Sequence, residues 1–140
     1  MADNTFLIAT LATGPDPDDW TPLSTLWQNT EGLSPYPEWF FTPYSQIVTA
    51  GNGARVGKGW PIVRWEKKAV RFAQREALRN FCSGLSSEVY IRTPINETSS
   101  GVRQWIDFQA IMDWMPESEN QDLFAAMDLD IEFRKCIRVT

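Results

Sequence analysis

From Met127 the chain alternates. Met127, Leu129, Ile131 and Phe133 are apolar, while Asp128, Asp130, Glu132 and Arg134 are charged. Successive side chains of a strand point to opposite faces, so this stretch predicts a strand with one greasy and one ionised side. A second ladder lies upstream, with Ile106, Phe108, Ala110, Met112 and Trp114 on one side and Asp107, Gln109 and Asp113 on the other, broken only by Ile111. Two such ladders close in sequence predict an antiparallel sheet with one covered and one wet face. Residues 60–66 read as a further strand, and Pro61 places its start at an edge or at the first strand position. Residues 46–50 and 54–56 read as a hairpin turned by Gly51-Asn52-Gly53, residue types that accept positive φ. Gly57-Lys58-Gly59 then permits a bulge or a second turn. The period changes next. Ala73, Ala77, Leu78, Phe81 and Cys82 recur at three-to-four spacing opposite Gln74, Arg75, Glu76, Arg79 and Asn80. This predicts one amphipathic helix over about 72–82, stopped near Ser83-Gly84. Residues 88–93 return to strand, 94–101 form a polar hairpin tip, and 116–122 form a polar connection.

The first 44 residues differ. Gly14, Pro15, Pro17, Pro22, Gly32, Pro35, Pro37 and Pro43 punctuate them, and between these lie Trp20, Trp27, Tyr36, Trp39, Phe40, Phe41 and Tyr44. A flexible linker would be poor in aromatics. The segment 1–44 therefore reads as an extended Pro/Trp-rich arm that orders by lying on something, with a strand within 5–12 and a helical turn within 20–28, where Thr21 before Pro22 is a start signal. The expected fold class is mostly β (α+β): an antiparallel β-sandwich or partly open barrel over 45–140, with one flanking helix and the N-terminal arm. Deleting 1–44 is expected to leave a folded but assembly-defective protein.

Composition narrows the chemistry. A chain of 140 residues supports one core. Seven Trp and eight Phe carry more aromatic surface than water tolerates, so much of it belongs in the core or an interface. There is no histidine, which removes the commonest general base, the Ser-His and Cys-His pairs and most zinc sites. The net charge of -5 disfavours non-specific binding to nucleic-acid backbone, which needs clustered Lys and Arg. Cys82 and Cys136 do not make a disulfide framework and read as small buried thiols in a reducing compartment. Met1-Ala2-Asp3-Asn4 carries an acid where a signal peptide carries basic residues, and no run approaches the ~18 apolar residues of a membrane span. No membrane partner and no cofactor are expected.

Each remaining motif has a plain explanation beside a chemical one. The run Gly51 to Gly59 invites a phosphate loop, but a phosphate cradle leads into a helix N-terminus and this one leads into a strand. Asp128, Asp130 and Glu132 share a strand face at ~7 Å spacing; calcium loops are built on turns and glycines, so a solvated face is the simpler account. Asn96-Glu97-Thr98 matches a glycosylation sequon by chance. The Trp content leaves room for a carbohydrate-binding module with exposed, stacked rings. A carboxylate hydrolase has least support, because no paired acids sit on convincing loops.

Three runs carry a resemblance: residues 57–66 (Gly-Lys-Gly-Trp-Pro-Ile-Val-Arg-Trp-Glu), 74–81 (Gln-Arg-Glu-Ala-Leu-Arg-Asn-Phe) and 88–94 (Glu-Val-Tyr-Ile-Arg-Thr-Pro), followed by the ladder over 105–115. In this order of glycine turn, strand, helix, strand and hairpin, residues 45–140 resemble the distal tail and minor tail proteins of long-tailed, non-contractile (siphovirus-type) bacteriophages, with their tail-tube-like fold. The resemblance implies a structural virion protein without enzymatic activity. It would be made in the host cytoplasm and built into the phage tail as a ring, expected to be a hexamer, at the distal tail or tip. Its partners would be itself, the tube and the tip or hub proteins, with DNA only passing through. A tail-tube or terminator subunit is the alternative within the same machine. On this basis Trp20, Trp27, Trp39, Phe40, Arg55 and Lys58 are candidate subunit-interface residues, and Asp128, Asp130 and Glu132 are candidate lumen-facing acids. Arg55, Lys58, Arg64 and Arg92 are alternative partners for acids on a neighbouring subunit.

Overall fold

In a computed structural model, which describes residues 5–26, 36–70, 72–99, 102–114, 120–121 and 127–139, the two ladders lie side by side. Strands β1 (Leu7–Thr10), β2 (Thr21–Pro22), β3 (Glu38–Thr42), β4 (Gln46–Thr49), β5 (Arg55–Lys58), β6 (Ile62–Val70), β7 (Ser86–Ser99), β8 (Val102–Asp113), β9 (Asn120–Gln121) and β10 (Met127–Arg138) are joined by α1 (Leu23–Leu26) and α2 (Phe72–Arg79). The order β2-β1-β7-β8-β10-β6-β3, with β9 added to β10, makes one antiparallel sheet, and β4-β5 form a separate hairpin. The mostly-β α+β class is as expected. Of the two forms left open, the partly open barrel is the one found: a single sheet curled into a half-barrel rather than two stacked layers.

Alternation decides which side is inside. Leu129, Ile131 and Phe133 of β10, Val63 and Trp65 of β6, and Phe108, Ala110 and Met112 of β8 all fill the concave face. Rings interlock across it. Trp65 meets Phe133 edge-on at 4.7 Å and Phe6 at 5.4 Å, and Phe41 stacks on Phe108 at 6.1 Å, the offset and T-shaped arrangements that ring quadrupoles favour. The β10 ladder loses its period at Lys135, where φ is +53° and the register to β8 shifts. Phe133 and Cys136 consequently both point inward although they stand three apart. A bulge of this kind re-aims side chains at the end of a pairing.

The proposed boundary at residue 44 is corrected by the sheet itself. β1 pairs with β7 from Leu7↔Arg92 to Thr10↔Val89, and β3 pairs with β6 from Glu38↔Glu66 to Thr42↔Ile62. Phe6, Ile8, Leu23 and Phe41 belong to the main core. The described part of the first 44 residues is thus woven into the domain. The prolines misled because they punctuate short strands, not an arm. Leu7 and Ala9 face the convex side and are buried there by Trp20, which stacks on Tyr90 at 5.3 Å.

Two further differences are local. The region from Pro94 onward is strand, with β7 running to Ser99. Pro94 lies beyond the end of the β1 pairing, where β7 has lost one neighbour, and a register shift against β8 follows it. Helix α2 is shorter than expected. The bonds Phe81 N–H to Leu78 O and Cys82 N–H to Arg79 O tighten the next turn, and Gly84 at φ +87° ends it. Leu78 and Cys82 are buried as the periodicity required, while Ala73 is exposed.

Candidate functional site

The two ends of the β3–β6 pair carry the features that the core does not explain. Strands rise ~3.4 Å per residue, so the five residues of β3 separate these ends by ~17 Å.

At one end, beyond Thr42↔Ile62, the chain leaves the sheet to make the β4-β5 hairpin. Its tip closes as the glycines predicted: Gly53 sits at φ +86°, its N–H donates to Ala50 O at 2.9 Å, and Asn52 Oδ1 accepts from Ala54 N–H at 3.0 Å. At its base Ser45 N–H donates to Lys58 O at 3.0 Å, and Gly57 and Gly59 lie so close to Tyr44 and Ser45 that a Cβ at either would collide. Apart from half-buried Val48 and Ala50, the hairpin is exposed. Ile47 is 53%, Val56 46% and the adjoining Trp60 51% exposed. Arg55 and Lys58 stand on β5, exposed and without an ion pair to any described residue.

At the other end, beyond Glu38↔Glu66, the curl brings β3 up to β7. Here a cleft of about 360 Å³ opens between Thr5, Phe6, Tyr36, Pro37, Trp39, Pro94 and Trp105. Phe6 is its floor, edge-on to Trp105 at 5.2 Å and tilted against Tyr36 at 6.0 Å. Among the described residues no charged side chain lines it. The buried Thr5 Oγ1 has no hydrogen-bond partner among the described residues. Glu38 is exposed beside Trp39, directly opposite the carboxylate of Glu66 on the convex face.

The sequence-selected residues divide accordingly. Trp20 is corrected: it is 4% exposed, and its Nε1–H donates to Gly14 O at 2.9 Å, so it is a core residue of its own chain. Trp27 lies outside the described residues. Trp39 is half-buried in the cleft wall. Phe40 faces solvent beneath the Arg64 guanidinium, 4.7 Å from its ring centre. Arg55 and Lys58 are on the hairpin. Among the acids, Asp128 is in β10 but its side chain lies outside the described set. Asp130 and Glu132 face outward as alternation required, yet not as a bare acidic wall. Arg64 bonds Glu66 at 2.9 Å and reaches Asp130 at 3.5 Å, and Arg134 bonds Asp113 at 2.8 Å. Arg64 and Arg92, read as alternative partners for a neighbour's acids, are both paired with acids of their own chain. Arg92 holds Asp107 with two bonds, 2.6 and 2.9 Å, and these push its pKa further up.

Little of this suggests reaction chemistry. Among the described residues no group of His, Cys, Asp and Glu is placed to hold a metal ion. Burial raises the pKa of both thiols, Cys136 to about 12, opposite to what a nucleophile needs. No helix of the described residues is long and apolar enough to cross a membrane. Comparisons with protein-family models, curated proteins and solved structures return no match. The cleft was not found from the sequence, because its walls come from four separate stretches of the chain. The only signal was the aromatic excess itself.

Proposed function

We propose that the protein is a structural subunit of a phage tail, forming a ring of its own copies at the distal tail or tip through which DNA passes. The observation that carries this reading is the β4-β5 hairpin. An isolated two-stranded hairpin is marginal in water at best, and this one leaves Ile47, Val56 and Trp60 exposed, outside the core clusters of the described residues. Exposed apolar residues gathered on one projection mark a surface meant to be covered. The rest of the described chain supports an architectural role: one curled sheet, an aromatic core and no converging catalytic groups among the described residues. The convex face of β6, β8 and β10 places Glu66, Asp113, Asp130 and Glu132 against Arg64 and Arg134. These four carboxylates outnumber the three cations Arg64, Arg134 and exposed Lys135, a balance that repels the phosphate backbone weakly and suits a wall that DNA slides past.

The test is sedimentation and negative-stain electron microscopy of the purified full chain over a wide concentration range. Closed rings with a central hole are expected. A chain that stays monomeric up to its solubility limit, with its hairpin amides fully protected from exchange, would overturn the reading.

A further inference from the structure

We infer that the cationic β4-β5 hairpin of one copy docks on the acidic turn between β1 and β2 of the next, residues 11–19. This rests on the assembly reading above and names the two surfaces that meet.

The hairpin has no inner side. Its register puts Val48, Val56 and Lys58 on one face and Ile47 and Arg55 on the other. Ile47 and Val56 are both exposed, and neither face contributes to a core cluster of the described residues. Each face thus offers an aliphatic side chain beside a cation. Residues 39–65 contain none of the 18 Asp and Glu of the chain, yet they hold Arg55, Lys58 and Arg64. The hairpin is therefore a cationic projection on a protein of net charge -5. A partner that covers it must supply apolar contact and carboxylates together, and a second copy of this acidic chain has a surplus of carboxylates. An anionic membrane would attract the hairpin but repel the acidic body behind it, so the second copy is the better match.

The turn between β1 and β2 is the complementary surface. Its backbone is fixed by its own bonds. Gly14 N–H donates to Leu11 O at 3.2 Å, Asp19 N–H donates to Asp16 O at 3.1 Å, and Asp16 Oδ1 accepts from Asp18 N–H at 3.1 Å. The buried Trp20 closes the turn through its bond to Gly14 O at 2.9 Å. On this frame Leu11, Ala12, Pro15, Asp16 and Asp19 are exposed. Asp18 already interacts within its own chain, whereas Asp16 and Asp19 form no ion pair with a described residue. Apolar contact and carboxylates therefore stand together on a preorganised turn, which loses little freedom on binding. The strand order makes the contact intermolecular. The hairpin leaves the β3–β6 edge of the sheet, and the turn belongs to the β1–β2 edge, with β7, β8 and β10 between them. Two different surfaces on opposite edges give a heterologous contact, which closes into a ring when the rotation between copies permits.

The experiment compares the whole wild-type chain with Arg55→Glu/Lys58→Glu, with Asp16→Asn/Asp19→Lys, and with all four substitutions in one chain. Analytical ultracentrifugation reads assembly, and circular dichroism melts control for folding. All four residues are exposed, and an asparagine keeps the acceptor that Asp18 N–H uses, so the variants should fold. Each pair of substitutions should raise the assembly concentration about tenfold or more, because facing like charges replace attraction with repulsion. The four together should bring it back toward the wild-type value, a rescue that damage to the structure would not give. Wild-type assembly should also weaken with salt, as the Debye length falls from ~30 Å at about 0.01 M to ~3 Å at about 1 M. Assembly of either pair at the wild-type concentration would overturn the contact while leaving the ring reading intact. A four-substitution chain that assembles no better than either pair would show that the two surfaces do not meet. A wild type that never assembles would remove both proposals, and its sedimentation with phosphatidylserine vesicles would assign the hairpin to a lipid surface instead.

Discussion

Trp65 joins the strands that are far apart in the chain. Its ring lies between Phe6 and Phe133, and its Nε1–H donates to Thr93 Oγ1 at 3.1 Å, with both groups buried. Thr93→Val keeps the shape and removes the acceptor, stranding an indole N–H in an apolar core. The variant should keep its far-UV spectrum and lose ~1–3 kcal/mol in urea unfolding. Residues 60–66 read as a strand, but nothing nearby in sequence shows that the partner of Trp65 is 28 positions away. Cys136 is a second residue whose setting sequence alone does not give, since the bulge at Lys135 turns it inward. Burial holds its thiol protonated to about pH 12, against 9.0 for a free thiol. The unfolded chain therefore releases this proton first as pH rises. Stability should be full below about pH 9 and should fall between 9 and 12, and burial of Cys82 acts in the same direction. Thermal melts of the wild type and Cys136→Ala across that range would measure it: the variant should show the smaller alkaline decline.

Among the described residues the β4-β5 hairpin pairs only with itself. Its turn chemistry was legible, because glycine and asparagine announce positive φ within a few residues. Its isolation was not, because local sequence does not say whether a hairpin lies on a core. Its base is the sensitive point. Gly59 has φ +87°, and a Cβ there would fall 2.0 Å from Ser45 Oγ. Gly59→Ala should cost ~1–3 kcal/mol of strain, confined to this element. Amide exchange over 46–58 should accelerate strongly while the melting temperature of the main sheet barely moves. An equal loss across the whole sheet would show instead that the hairpin is coupled to the core. Helix α2 makes the contrasting case. Three-to-four spacing fixed its existence and its buried Leu78, whereas its early end depended on a tightened turn and on Arg79, which donates to the Cys82 carbonyl.

For the whole molecule, the weaving of the first 44 residues into the sheet reverses an expectation. Removing them strips Phe6, Ile8, Leu23 and Phe41 from the core and β1 and β3 from the sheet. At ~1.5–3 kcal/mol for each buried side chain, the loss matches the ~5–15 kcal/mol that keeps a typical domain folded. A chain beginning at residue 45 should therefore lack a cooperative thermal transition and bind a hydrophobic dye. A sharp melt would restore the view of a separable arm. The sequence by itself determined the two ladders and most of the other strands, the Gly51-Asn52-Gly53 turn, the amphipathic helix α2 and the inward face of each ladder, because these follow from side-chain periodicity and φ preferences acting over a few residues. Only the tertiary structure decided which strands are neighbours, that one sheet curls into a half-barrel, and that Thr5, Tyr36, Pro94 and Trp105 share a cleft. Those outcomes depend on pairings between distant segments, whose energies are summed over the whole curled sheet and written in no single stretch of it.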